Sequence, residues 1–199
     1  MLPITSEDVK NFWAYMSNHY GTDIVTKDDS WFIEILAFAM DTLGIVDKEK
    51  FMNHFTTTIG MNIYVPFEIG TMEEGAPSLL SQMATCVHEH MHVKQHLVEP
   101  ALFELKYLFD SVHRAAYEAK AYAANMEMHW WYNGKLLDTE KLANKLKGYA
   151  VDEADIQVTK KTLDMLSVTI SRGGVVTKPM RVAMKWLKKR FPDHVPGTP

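Results

Sequence analysis

Cysteine is nearly absent. Cys86 is the only one in the chain, so no disulfide framework can hold this fold. Long apolar runs are missing as well: the longest unbroken one, Ile35 to Met40, falls far short of the roughly 20 residues that cross a bilayer. No membrane span is expected. The N-terminus carries Glu7 and Asp8 where a secretory signal needs basic and then apolar residues. Together with the single cysteine this points to a cytoplasmic protein, or to one associated with a virion. No repeat or low-complexity linker interrupts the chain, and its glycines and prolines read as punctuation, which suggests one domain over residues 1–199.

An apolar share of 47% is enough for a sizeable core, and a net charge of −4 argues against general nucleic-acid binding. The charge is unevenly placed. Residues 1–100 hold 14 acids and 5 bases, a balance of −9, and residues 101–199 hold 11 acids and 16 bases, a balance of +5. Much of that surplus lies in the acid-free stretch from Lys178 to Arg190. There Met180, Ala183, Met184 and Leu187 recur at i, i+3, i+4 and i+7, which predicts an amphipathic C-terminal helix. Its basic face is either solvated or set against an anionic partner.

Thr5 and Ser6 ahead of two acids predict a helix start, with Phe12, Met16, His19 and Tyr20 at helical spacing up to Gly21. A second helix is expected from Asp28 to about Gly44, and a short third over Asp47 to His54. Thr57 to Val65 is rich in β-branched residues and ends at a proline, so it reads as the one convincing strand, with Gly60 as a bulge. Ser78 then caps a helix to about Leu97, which Glu99-Pro100 stops. Ala101 to Tyr132 carries a good cap pair, Asp110-Ser111, in its middle, and a break is expected there. Further helices are expected over Thr139 to Leu146, Asp152 to Ile170 and Pro179 to Arg190. The class is mainly α, an α+β fold with a small β element.

Residues 88–92 read His-Glu-His-Met-His, the pattern H-E-x-x-H. On a helix, positions i and i+4 share a face one turn apart, so His88 and His92 can present their imidazoles to one metal ion. Glu89 lies beside that face, placed to take a proton from a metal-activated water. Random order of the chain's 9 histidines and its glutamates would give the pattern only about 0.03 times. Zinc, one per chain, suits neutral imidazoles and an open position for water, but it needs a third protein ligand. The candidates are Glu104, Asp110, His113, Glu118 and His129. An unbroken helix after Pro100 would nominate Glu104. A new helix from Asp110 would place Glu118 about 11 to 12 Å along its axis, within reach of the metal, with small alanines around it. Donors to a developing oxyanion could come from Tyr117, Tyr122, His129 or Tyr149.

Here the chain resembles the zincin metallopeptidases, in particular the gluzincin branch with H-E-x-x-H on one helix and a glutamate ligand on a later one. His88, Glu89 and His92 match the first motif and Glu118 is similar to the second, although no N-E-x-x-S-D pattern accompanies it. Gln95 matches the HExxHxxQ variant of small bacterial and phage zincins. The resemblance covers Thr57 to Asn125. It implies that a strand before the active-site helix, with Ile59, Gly60, Met61, Asn62 and Ile63 along it, forms an edge for extended peptide substrate. The function so implied is zinc-dependent hydrolysis of a peptide bond with Glu89 as general base. The alternative is a zincin-like metal-binding or structural protein, of phage origin for instance, that does not cut. Cys86, off the His88–His92 face, and the aromatic run His129 to Tyr132 read as packing.

Overall fold

The computed structural model describes residues 3–27 and 55–198, together with Glu49, Met52 and Asn53 between them. Helix α1 (Ser6–Tyr20) starts at Thr5. The Thr5 hydroxyl oxygen accepts from the Asp8 amide and the Asp8 carboxylate accepts from the Thr5 amide, a reciprocal cap for two otherwise orphaned donors. The helix stops at Gly21, whose φ of 69° costs a glycine nothing. The helix expected over Asp28 to Gly44 lies outside the described residues, as does most of the one expected over Asp47 to His54.

Thr57 to Val65 is a hairpin and not a single bulged strand. Strand β1 (Asp23–Thr26) pairs in parallel with β3 (Asn62–Val65), and β2 (Thr57–Ile59) pairs antiparallel with the other side of β3, giving the order β1-β3-β2. Gly60 takes φ 58° in the two-residue turn between β2 and β3, the left-handed backbone that a tight hairpin asks for. Among the described residues the free main-chain edges belong to β1 and β2, because β3 is paired on both sides.

The helices follow their local signals closely. Ser78 caps α2 (Leu79–Val98), and the chain then turns through Ala101 at φ 62° into the short α3 (Leu102–Phe109). Asp110 breaks that run and caps α4 (Ser111–Asn133) by accepting from the His113 amide. Next come α5 (Thr139–Asn144), a 3-10 segment (Lys145–Tyr149), α6 (Glu153–Ile170) and α7 (Lys178–Arg190), the last capped by Thr177. Among the described residues no helix is long and apolar enough to cross a membrane.

Helix α4 is the shared wall of two cores. Its Ala124, Met128 and Trp131 join α1, α2, β3 and α7 around Phe12, Trp13, Met83 and Leu187. Its Ala115, Tyr122 and Met126 face α5 and α6 around Leu146, Ile156 and Leu163. A helix buried on two sides cannot show a single apolar stripe, which is why alanine dominates it. Of those alanines, Ala121 and Ala124 are fully buried, and such small side chains let α2 lie close along the helix. On α7 the apolar row sinks into the first core while Lys178, Arg181, Lys185 and Lys188 stay exposed, and Arg190 reaches back to Asp8 on α1.

Candidate metal centre

Helix α2 carries His88 and His92 one turn apart, and their Nε2 atoms lie 3.2 Å from each other. The cap at Asp110 restarts the chain so that α4 brings Glu118 to the same point. Its Oε1 is 3.3 Å from His92 Nε2 and its Oε2 is 3.6 Å from His88 Nε2. These three buried or half-buried side chains, with ligand atoms within 4.8 Å of one another, form a group that could hold a metal ion.

The outer nitrogens fix how the rings face. His88 Nδ1 donates to Asn125 Oδ1 at 2.6 Å, and His92 Nδ1 donates to Gln95 Oε1 at 2.8 Å. Gln95 is itself oriented, because its Nε2 donates to the Tyr117 carbonyl on α4. Held through Nδ1, both rings turn Nε2 inward, the orientation a metal site requires once Nε2 is free of its proton. Glu118 Oε1 accepts from the Tyr107 hydroxyl at 2.7 Å, whereas its Oε2 is buried without a hydrogen-bond partner. A buried carboxylate oxygen with no donor is costly, and a cation between it and the two Nε2 atoms would satisfy it. The residues fit a metal.

Electrostatics tell the same story. Burial opposes charge on His92 and Glu118, but each outweighs it for the other: the Glu118 carboxylate raises His92 to about 9, and His92 with His88 draws Glu118 down to about 2. Without a cation the imidazole keeps a proton in its place. Glu89 is buried and accepts from the Thr58 hydroxyl of β2 at 2.7 Å, which ties it to the sheet and leaves it outside the ligand group. Lys27, fully buried at the end of β1, is brought down to about 7 by burial, against the pull of Glu89's charge.

The remaining candidates separate. Glu104 accepts from His96 and from the Gly60 amide, so it anchors the hairpin turn, and His96 is half-buried in that contact instead of facing solvent. Asp110 and His113 bond each other at the start of α4. Tyr117 turns its hydroxyl to Glu99, away from the group, and His129 lies three turns past Glu118, where it senses Lys145. Tyr122 does reach the site, its ring 5.4 Å from that of His88, and Tyr149 comes to it from the 3-10 segment. Tyr107 was not among the sequence candidates and is the one bonded to Glu118. Burial first, with Glu118's charge, pushes all three hydroxyls well above their usual range, so they remain protonated donors. Of the edge residues only Ile59 lies on β2; Gly60 and Met61 make the turn, and Asn62 and Ile63 belong to the doubly paired β3. Among the described residues the free edge beside Glu89 is therefore Thr57–Ile59. The surplus histidine His90 is structural: its Nδ1 donates to the Cys86 carbonyl, its Nε2 accepts from Thr22, and burial lowers it to about 4.

Compared with known proteins, the chain matches no family model, no curated protein and no solved structure.

Proposed function

We propose that this chain is a zincin-type, zinc-dependent peptidase, with His88, His92 and Glu118 as ligands and Glu89 as general base. The observation that carries the reading is the convergence of two inward-facing Nε2 atoms and an unpartnered carboxylate oxygen on one point, beside a carboxylate that is not part of the group. Zinc held there would supply a Lewis acid that brings a water's pKa to about 7 and polarises a carbonyl. Glu89, held on one side by Thr58, takes the attacking water's proton and passes it to the leaving amine. The hydroxyls of Tyr122 and Tyr149 supply the donors for a developing oxyanion. An extended peptide adds to the free edge of β2 by main-chain hydrogen bonds, which brings its backbone past Glu89.

Metal analysis of the purified protein, alongside a Glu89→Gln variant in a peptide-library assay, tests this. About one zinc per chain in both proteins, with cleavage only by the unaltered one, is the expected result. Zinc in both with no cleavage by either would overturn the enzyme and leave a metal-binding protein.

A further inference from the structure

Helix α3 has two unlike faces. Inward, Phe103 and Tyr107 pack against the His92 ring, each 5.9 Å from it between ring centres. Outward, Leu102, Leu105 and Phe109 at i, i+3 and i+7 are bare. Leu97 and Val98 at the end of α2 and Val112 in the first turn of α4 flank α3 in the chain and are exposed as well. All six are 47% to 71% exposed. Single exposed leucines are ordinary, but six large apolar side chains within one short stretch of chain make a patch.

The charges around this patch are already used within the chain. Lys106 pairs with Glu99, His96 with Glu104 and His113 with Asp110, and the Arg114 guanidinium is spent on the Tyr107, Leu108 and Ala150 carbonyls. With Lys106 paired and the Arg114 guanidinium turned to carbonyls, these residues offer no free cation to a phosphate backbone or an anionic lipid. Each carboxylate beside the patch, Glu99, Glu104 and Asp110, already has a donor within the chain, which limits the opposition of like charges where the same residues meet across a twofold axis. Six half-exposed apolar side chains present on the order of 600 Å² per copy, close to the roughly 800 Å² per partner of a standard stable interface.

We propose that the outer face of α3, with the adjoining ends of α2 and α4, is the surface on which two copies of this chain pair. The inference is independent of the peptidase reading. Pairing would clamp α3 from behind and so back the wall that holds Phe103 and Tyr107 against the metal-ligand group.

Analytical ultracentrifugation from micromolar to hundred-micromolar concentration tests it, using the full chain and a Leu105→Asp/Phe109→Asp variant. Both side chains are exposed, so the variant should keep the native circular dichroism and metal content. The expected result is a dimer for the unaltered chain, little changed by high salt, and a monomer for the variant. A chain that stays monomeric throughout overturns the proposal, as does a dimer that persists in the variant or dissociates in salt. If that monomer binds neutral phospholipid vesicles, the face is a membrane contact. If it loses thermal stability in the variant, the face is covered from within the same chain.

Discussion

Gln95 does two things with one amide: its oxygen fixes the His92 ring and its nitrogen holds the Tyr117 carbonyl, one residue before Glu118. It thus sets His92 and Glu118 relative to each other from outside the group. Gln95→Leu and Asn125→Leu should each weaken zinc binding by about 10- to 100-fold in a chelator competition, the range typical of such outer partners. Glu118→Ala should cost orders of magnitude more. Glu104→Ala should leave affinity nearly intact, since that carboxylate serves His96 and Gly60. A larger loss in Glu104→Ala than in Glu118→Ala would reverse the ligand assignment. A pH dependence follows from His92, which holds its proton up to about 9 while zinc is absent. Zinc must displace that proton, so apparent affinity should climb roughly tenfold per pH unit between about 7 and 9 and then level off. Flat affinity across that interval, measured in metal-buffered titrations, would show that the imidazole is already neutral.

Two carboxylates govern how elements join. Asp110 separates α3 from α4, and its removal in Asp110→Ala should lower the midpoint of urea unfolding, as the loss of a helix cap does. An unchanged midpoint would mean that the break is set by packing alone. Glu127 of α4 accepts from the Val176 amide and from the Thr177 amide and hydroxyl, holding the cap of α7, and burial outweighs those bonds to lift it to about 7. An acid raised from 4.5 in this way contributes stability that is complete below about 4.5 and is lost as pH rises through 7. Relative to Glu127→Gln, the unaltered protein should therefore lose on the order of 2 to 3 kcal/mol between pH 5 and 8. A constant difference would show that Glu127 stays ionised throughout.

Cap and break signals such as Thr5, Ser78 and Asp110 are carried by residues a few positions apart, and they were readable in the sequence together with the His88–His92 spacing and, through the break, Glu118. Strand β1 was not readable: four residues are too few for an alternating pattern, and its partner β3 lies far along the chain. The hairpin did leave a signal, Gly60 between two β-branched runs, which fits a turn as well as a bulge. Thr58 and Lys27 act on Glu89, and Asn125 and Tyr107 on His88 and Glu118, from four different elements or their ends. No spacing within the chain encodes such a meeting; only the packed fold does.

At the scale of the molecule, among the described residues, the two cores have one helix in common. Neither can open without stripping a face of α4, so the amides at its centre should exchange with deuterium only when the entire chain unfolds. Helix α3, entered through Ala101 at φ 62° without a side-chain cap, should exchange through small local openings that leave the rest intact. If native-state exchange in mild denaturant found the middle of α4 and α3 equally fast, the two cores would be separate cooperative units. With α4 as the last element to let go, Glu118 rests on the slowest-opening part of the protein, while Tyr107, its hydroxyl partner, is carried by one of the quickest.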